Sequence, residues 1–178
     1  MALPTDEEII RVVQDFSRKN VLEKQTRNNN SWDDYKPSWL REARDPSGNE
    51  LREERLSRFT HKRIQDEVRQ RFGSNNISVE KPVGEGSNLA FDFWNRTDRT
   101  AYEISLGAIK NEFEKDVLKG ILDTDTVSLV IFYREYKFGK KGTIFGRKWF
   151  AQPSSKEIIE RARIFKLNVQ PLPLVPDH

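Results

Sequence analysis

Two acidic residues stand inside apolar segments that otherwise predict buried β-strands. Asp92 lies between two phenylalanines in AFDFWN, and Glu103 lies between a tyrosine and an isoleucine in TAYEIS. Side chains alternate between the faces of a strand, so these acids can share one face if the two strands pair through the short turn between them. Neighbouring carboxylates repel each other and are costly to bury, which indicates that a proton or a cation sits between them.

Magnesium meets this need because it binds hard oxygen ligands. The composition narrows the choice of metal, since the chain has no cysteine and two histidines, His61 and His178. These counts exclude a thiolate metal site and a disulfide framework, and they are too small for a zinc ligand set. Neither histidine has an evident partner in the sequence, so we assign no role to either. Any metal in this protein is therefore expected to be held by oxygen.

The segments that carry the two acids belong to a predicted meander of three strands, with GEGSN and RTDR as the turns. The strands are expected at 77–83, 89–95 and 100–106. A helix is expected before them at 51–73, and another after them at 109–122, because both segments have apolar residues at helical spacing. The two acids are therefore placed on adjacent strands of a sheet that has helices on either side in the sequence.

The rest of the chain predicts further elements of an α/β fold. VSLVIFY at 127–133 is almost wholly apolar, as expected of a strand covered on both faces. A helix is expected after Pro153, with Ser154 and Glu157 as a capping box. The final NVQPLPL is expected at a sheet edge because of its prolines. Between these elements, KFGKKGTIFGRKWF predicts a long hairpin or loop.

The length of 178 residues suits a single domain. Residues 1–50 predict a helix that begins with a capping box of Thr5 and Glu8, followed by an irregular polar arm. Residues 51–178 are expected to form the α/β domain. The arm is expected to pack against this domain through three aromatic residues: Trp32, Tyr35 and Trp39.

The order of elements and the two acids together resemble the PD-(D/E)xK nuclease superfamily, which has the restriction-endonuclease-like fold. In that family one acid ends the second core strand and another opens an E-x-K tripeptide on the third. These positions correspond here to Asp92 and to Glu103 in the tripeptide EIS. The resemblance covers roughly residues 51 to 135, with the final helix and strand in addition. It implies an αβββαβ core in which a mixed central sheet is flanked by helices.

The tripeptide departs from the family pattern at its third position, where Ser105 replaces the usual lysine. Some restriction enzymes of the family also lack that lysine. A serine hydroxyl cannot act as a base near neutral pH, so Ser105 would at most orient a water molecule. Lys110 and Lys81 are candidates for a lysine that has migrated, and Glu67 resembles the helix acid that some relatives add. Each of these residues also fits an ordinary surface role.

The resemblance implies a site that works with Mg²⁺, or with Mn²⁺ as a substitute. The metal would be held by the carboxylates of Asp92 and Glu103 and by the backbone carbonyl of Ile104. The expected catalytic residues are then Asp92, Glu103, Ser105, Glu67 and Lys110. An alternative that needs no metal is also open, in which Asp92 and Glu103 pair with Arg96 or Arg99 at the end of a strand.

A basic segment gives the chain a candidate surface for nucleic acid. Residues 134–148 hold six lysines or arginines and one glutamate, a charge that favours contact with phosphates. A solvated hairpin kept soluble by its charge is the alternative. The residues expected to contact DNA are Lys137, Lys140, Lys141, Arg147 and Lys148.

The resemblance and the basic segment together imply a magnesium-dependent endodeoxyribonuclease that cuts duplex DNA as a homodimer. A type II restriction enzyme is the first setting to consider, and repair or mobile-element nucleases are the alternatives. A DNA-binding module of the same fold without activity, and a structural or assembly protein with a basic edge, are the other hypotheses. The chain has no apolar run of membrane-spanning length, and MALPTDEEII lacks the features of an export signal. A cytoplasmic location without membrane contact is therefore expected.

Overall fold

The computed structural model describes residues 3–21, 53–84, 87–105, 109–133, 137–138, 143–144 and 147–174. The arm predicted after the first helix, with Trp32, Tyr35 and Trp39, lies outside these residues. The division of the chain near residue 50 therefore stays a prediction.

The described part of the chain alternates helices and strands. Its helices are α1 (Asp6–Val21), α2 (Glu53–Phe72), α3 (Ile109–Leu122), α4 (Arg147–Phe150) and α5 (Pro153–Ile164). Its strands are β1 (Ile77–Pro82), β2 (Ala90–Asn95), β3 (Thr100–Ser105), β4 (Ser128–Tyr133), β5 (Lys137–Phe138), β6 (Thr143–Ile144) and β7 (Asn168–Pro173). Each of the first four strands is one residue shorter than predicted. Among the described helices, none has both the length and the apolar character needed to cross a membrane.

Five of the strands form one mixed sheet in the order β1-β2-β3-β4-β7. The pairs β1–β2 and β2–β3 are antiparallel, which confirms the predicted meander. The pairs β3–β4 and β4–β7 are parallel, with α3 and α5 in the two connections. The prediction that the proline-containing last strand lies at an edge is also confirmed. The protein therefore has an α/β fold with a five-stranded mixed sheet flanked by helices.

Helices cover both faces of this sheet because β4 is apolar on both sides. Leu129 and Ile131 pack in one core with residues of α3 and α5, while Val130 and Phe132 pack in another with residues of α1 and α2. The uninterrupted apolar sequence of β4 thus reflects burial from two directions. The first core also contains Phe113 and Ala162, and the second contains Ile9, Val13, Ile64 and Val68.

The two predicted capping boxes differ in outcome. At α1 the box is confirmed, since the Thr5 amide donates to the Glu8 carboxylate at 2.9 Å and the Glu8 amide donates to the Thr5 hydroxyl at 3.3 Å. At α5 the prediction is wrong. That helix begins at Pro153 without a side-chain cap, and Glu157 instead pairs with Arg161. A proline at the first helical position has no amide hydrogen that needs a cap.

The basic segment forms a hairpin only in part. β5 and β6 pair antiparallel, as predicted for a hairpin. The residues that follow, Arg147–Phe150, form the short helix α4 instead of a continuing strand. Phe150 of this helix packs against Tyr133 with ring centroids 4.7 Å apart. Burial of an aromatic side chain at this point favours the helix over an extended loop.

The start of α1 is fixed to the sheet by the carboxylate of Asp6. It accepts hydrogen bonds from the Tyr102 hydroxyl, from the Thr100 hydroxyl at 2.6 Å and from the Asn95 amide at 3.1 Å. All three donors belong to residues that are fully buried. We therefore expect Asp6→Ala to lower the free energy of unfolding by about 3 kcal/mol, because the buried Tyr102 hydroxyl loses its acceptor and the Thr100 hydroxyl loses its shorter hydrogen bond.

Urea unfolding of the Asp6→Ala protein measures this effect. Asp15→Ala is a matched control on the same helix, since Asp15 lies in an exposed pair with Arg18. The control is expected to change the free energy by at most about 0.5 kcal/mol. Equal losses for both variants would show that α1 is not held through Asp6.

Candidate active site

The strands β2 and β3 separate at the point where both acids lie. They pair through the turn as predicted, but the last pair joins Phe93 to Tyr102. β1 nevertheless stays paired with β2 as far as Ala90, and β4 stays paired with β3 as far as Ser105. A gap therefore opens inside the sheet between residues 90–92 and 103–105. We call it the β2–β3 gap.

The strand β1, which lies on the other side of β2, is also distorted opposite Asp92. β1 pairs through Val79 and Lys81 but not through the intervening Glu80, which has a φ of 51°. A glutamate in this left-handed region is under local strain. The distortion accompanies a change in the alternation of β2, since Phe93 and Phe91 pack in different cores. Asp92 thus lies at the point where the side chains of β2 no longer alternate regularly between the two faces of the sheet.

Side chains bind the backbone groups that the separation of the strands leaves without ladder partners. The amide of Ile104 donates to Asp92 Oδ2 at 2.6 Å. The carbonyl of Asp92 accepts from Gln65 Nε2 at 2.8 Å, and the carbonyl of Ala90 accepts from Lys119 Nζ at 3.1 Å. Buried backbone groups need such partners. These three backbone groups therefore have hydrogen-bond partners, and the contacts from α2 and α3 hold the gap open.

Glu103 points to the α3 side of the gap, where it meets a lysine. Its Oε1 accepts a hydrogen bond from Lys119 Nζ, which also lies 3.0 Å from Asp116 Oδ1. The side chains of Glu103, Asp116 and Lys119 are all less than 10% exposed. With the carbonyl of Ala90, three oxygens now surround the ammonium. Since a lysine ammonium has three donors, all of them are used.

The charges of this cluster do not balance. Burial and the nearby carboxylates of Asp92 and Asp116 raise the pKa of Glu103 well above its usual value, against the opposing effect of Lys119. Burial likewise raises the pKa of Asp116 to about 6. Burial alone would lower the pKa of Lys119, but the carboxylates of Glu103 and Asp116 outweigh it and raise that pKa. The carboxylates thus outnumber the ammonium in the gap, and this excess of negative charge favours the uptake of a proton or a cation.

On the α2 side of the gap, Asp92 meets His61. The Nδ1 atom of His61 lies 3.4 Å from Asp92 Oδ1, and the two side chains are 30% and 18% exposed. Burial would lower the pKa of His61, but Asp92, Glu112 and Asp116 outweigh this effect and raise it. The carboxylates of α3 thus act on a side chain of α2 through the gap. The two acids therefore lie in one electrostatic cluster. The prediction that they share one face of the sheet is wrong, since Asp92 contacts His61 of α2 and Glu103 contacts Lys119 of α3 on the other side.

The structure does not support the alternative in which Arg96 or Arg99 neutralises the acids. Arg96 Nε donates to the Ser78 hydroxyl at 3.1 Å. Arg99 donates to the backbone carbonyls of Asp125 and Thr124. Among the described residues, neither guanidinium forms an ion pair with Asp92 or Glu103. Asp92 pairs with His61 instead, and Glu103 pairs with Lys119.

Two of the other predicted catalytic residues have different surroundings from those expected. The hydroxyl of Ser105 is buried and donates to Glu112 Oε2 at 2.8 Å. Glu67 is half-buried on α2, and it lies two positions beyond Gln65, a rotation of roughly 200° about the helix axis. No hydrogen bond or ion pair within the described residues joins Glu67 to Asp92 or Glu103. The gap therefore brings together Asp92, Glu103 and Ile104, with Ser105 next to Glu112.

Neither of the two candidates for a migrated lysine is the lysine that contacts Glu103. Lys81 Nζ lies 2.6 Å from Asp123 Oδ2 and 4.5 Å from the Trp94 ring centroid, so it belongs to another contact. Lys110 lies in the first turn of α3, and its side chain lies outside the described part of the structure. The lysine that contacts Glu103 is Lys119, which lies nine residues after Lys110 on α3.

The predicted DNA-contacting residues are placed only by their backbone. Lys137 lies in β5, and Arg147 and Lys148 lie in α4. Their side chains, and all of Lys140 and Lys141, are outside the described residues. Their role stays a prediction.

Four residues of the gap received no role from the sequence: His61, Gln65, Asp116 and Lys119. A weak signal existed for Asp116, because it lies three residues after Phe113 and next to Val117 on the predicted apolar seam of α3. A buried acid on such a seam needs a partner. Lys119 follows at the i+3 position, where it can supply one. His61 and Gln65 carried no comparable signal.

No protein-family model, curated protein or solved structure matches this chain. Within the described ranges, no group of three or more histidine, cysteine, aspartate or glutamate side chains has the arrangement of a metal site. A function must therefore be inferred from the chemistry of the gap itself.

Proposed function

We propose that the β2–β3 gap is the active site of a magnesium-dependent endonuclease that hydrolyses phosphodiester bonds in duplex DNA. The convergence of Asp92 and Glu103 on one gap between adjacent strands carries this proposal. The amide of Ile104, the middle residue of the tripeptide EIS, binds the Asp92 carboxylate at 2.6 Å. The two acidic motifs that resemble the PD-(D/E)xK family are thus in direct contact.

The topology supports the same proposal. A helix, a meander of three strands, a helix and a parallel fourth strand follow one another in that order from α2 to β4. This is the order implied by an αβββαβ core of the restriction-endonuclease-like fold. The second and third strands of that core carry Asp92 and Glu103. We therefore propose this fold for the α/β domain.

The donors of the gap fit magnesium in type and in charge. Asp92 and Glu103 offer hard carboxylate oxygens, and Asp116 adds a further negative charge near one lysine. Magnesium is commonly held by one or two carboxylates and keeps several waters, so a set of three side chains is not required. We propose that Asp92 and Glu103 hold the ion, with the carbonyl of Ile104 as the third protein ligand that the family implies.

A magnesium ion held by these residues would supply positive charge for the phosphate and would make a bound water more acidic. The chain's own residues then position the reacting groups. Lys119 keeps the Glu103 carboxylate in the gap through their ion pair. The amide of Ile104 and His61 orient the two oxygens of Asp92. Both acids are thus held in place before a substrate binds, which lowers the cost of reaching the reactive geometry.

The proposed substrate is duplex DNA because the basic residues between 134 and 148 follow β4, the neighbour of β3 in the sheet. Lysines and arginines there would contact phosphates without selecting a sequence. We propose a homodimer for cleavage of both strands, since one such site cuts one strand. The proposals of duplex DNA as substrate and of a homodimer rest on the positive charge of this segment and on the resemblance to the family.

Incubation of the protein with supercoiled and linear DNA tests the proposal. We expect cleavage with Mg²⁺ or Mn²⁺ and none with excess EDTA. Binding to DNA is expected to weaken as salt rises, because phosphate contacts release counterions. Absence of cleavage with every divalent metal, under conditions where DNA is bound, would overturn the nuclease proposal.

A DNA-binding module without activity is the second candidate. One observation favours it, namely that Lys119 uses its three donors inside the protein and Ser105 donates to Glu112. Neither residue is then available to a substrate in the place of the missing lysine. Salt-sensitive binding of DNA without cleavage is the result that distinguishes this candidate.

A further inference from the structure

Within the described strands, Asp92 is the residue of β2 that has no register partner on either side. Residues 90–91 pair with β1, and residues 93–95 pair with both β1 and β3. Asp92 lies between these two groups and pairs with neither strand, because β1 skips Glu80 and the pairing of β3 ends at Tyr102. The sheet ladders that fix the neighbouring peptides therefore do not fix the peptide of Asp92.

A glutamine of α2 supplies the missing support for this peptide. Gln65 Nε2 donates to the carbonyl of Asp92 at 2.8 Å, and Gln65 is only 7% exposed. Ile64 and Val68 of the same helix are fully buried in the core on that face of the sheet, so the base of the glutamine side chain is held by packing. An amide in such surroundings keeps its acceptor, because both groups would otherwise lose their partner.

The carboxylate of Asp92 is held separately from its carbonyl. Its Oδ2 atom accepts from the amide of Ile104 on β3 at 2.6 Å. The residue is thus fixed at two points, with its carbonyl bound to α2 and its carboxylate bound to β3. A carbonyl that loses its donor turns toward another donor or toward water. Loss of the Gln65 contact would therefore rotate the peptide of Asp92 and move the carboxylate with it.

We propose that Gln65 is a positioning residue of this site, which fixes the peptide of Asp92 so that its carboxylate stays oriented in the β2–β3 gap to bind the metal. This inference rests on the proposed nuclease function. Gln65 acts through Asp92 and makes no contact with metal or substrate itself. Its amide is uncharged, so the role is independent of any protonation state. Groups that orient a metal ligand in this way change metal affinity or activity by about 10-fold to 100-fold.

Nuclear magnetic resonance of the metal-free wild-type protein tests the contact without any need for cleavage. The side-chain amide protons of Gln65 are expected to exchange with water more slowly than those of Gln70, which is exposed on the same helix. A buried amide is protected because the structure must open locally before exchange occurs. Equal exchange at the two glutamines would overturn the proposal, whether or not any variant folds.

Two variants remove the contact in different ways. Gln65→Met keeps the length of the side chain without a donor, and Gln65→Asn keeps the amide on a shorter side chain that does not reach the carbonyl. Both are expected to shift the amide signal of Ile104 in the metal-free protein, because the carboxylate of Asp92 that binds this amide moves. An Ile104 signal that is unchanged in both variants would contradict the proposed role.

Gln14→Met is a matched control for the loss of a hydrogen bond. Gln14 of α1 also donates its side-chain amide to a strand carbonyl, that of Pro173 on β7, at 2.9 Å. Its replacement removes the same kind of helix-to-strand contact without touching β2 or β3. The amide signal of Ile104 is therefore expected to stay in place in Gln14→Met. An equal shift in this control would show that the signal reports a general loss of stability.

Electron paramagnetic resonance of Mn²⁺ measures the effect on the metal. Gln65→Met is expected to bind Mn²⁺ about 10-fold more weakly than the wild-type protein, whereas Gln14→Met is expected to bind it equally well. A merely structural role would give both variants the same affinity. Equal affinity in all three proteins would overturn the positioning role.

Cleavage kinetics separate positioning from DNA binding. In Gln65→Met the Mg²⁺ concentration for half-maximal cleavage is expected to rise about 10-fold, while KM for DNA stays unchanged because Gln65 does not contact DNA. An unchanged Mg²⁺ requirement would overturn the proposal. If the wild-type protein cleaves no DNA, the nuclease function fails, and the Ile104 signal and the Mn²⁺ affinity still decide whether Gln65 positions Asp92.

Discussion

Replacement of Lys119 by methionine is expected to lower the free energy of unfolding by about 3 to 5 kcal/mol at pH 7, because it leaves buried carboxylates without their counter-charge. Lys119 is bound to Glu103 and Asp116, and all three side chains are less than 10% exposed. Methionine keeps most of the length of the side chain and removes the ammonium. Urea unfolding monitored by tryptophan fluorescence measures the change.

The loss is expected to depend on pH with a defined sign. The pKa of Asp116 is raised to about 6 and that of Glu103 is raised as well. A carboxylate whose folded pKa lies above its unfolded value contributes stability that is complete below the unfolded pKa, near about 4, and is lost as pH rises through the folded pKa. Without Lys119 both folded values rise further. The difference between the variant and the wild type should therefore be largest near neutral pH and shrink as the pH falls.

A matched control separates this effect from the general loss of a surface charge. Arg161→Met removes an exposed ion pair with Glu157 and is expected to cost at most about 0.5 kcal/mol. Glu103→Gln in the Lys119→Met background should restore part of the stability, because one uncompensated carboxylate is removed. A loss that is the same at all pH values would contradict the electrostatic role of Lys119.

Removal of either acidic charge is expected to abolish DNA cleavage, with a fall in kcat of about 1,000-fold or more. Glu103→Gln removes the charge and keeps an oxygen that can accept from Lys119. Asp92→Asn keeps an oxygen that can accept from the amide of Ile104. Both variants are therefore expected to remain folded. Rates of plasmid cleavage under saturating Mg²⁺ measure the effect.

The controls for these variants address folding, DNA binding and the choice of acid. Glu114→Gln removes an exposed carboxylate from α3, the same helix that carries Asp116, and is expected to leave cleavage unchanged. Circular dichroism and salt-dependent DNA binding should be similar for all three variants. If Glu103→Gln cleaved DNA at the wild-type rate, the β2–β3 gap would not be the active site.

Local sequence patterns determined the elements that carry the two acids. Alternation in β2, apolar spacing in α3 and the wholly apolar β4 each report how a segment is buried, and burial is what these periodicities encode. The meander of β1 to β3, the burial of β4 on both faces and the edge position of the last strand were predicted in this way. Asp92 and Glu103 stood out because an acid within such a pattern needs a specific partner.

The partners themselves came only from the tertiary structure. Lys119 is sixteen residues from Glu103 and His61 is thirty-one residues from Asp92, so both contacts depend on how α2 and α3 pack on opposite faces of the sheet. The separation of β2 from β3 after Phe93 is likewise not visible in the alternation of either strand. A periodic pattern records which face of a segment is buried. The side chain that fills a gap between two strands is chosen by the packing of distant helices, which no local pattern records.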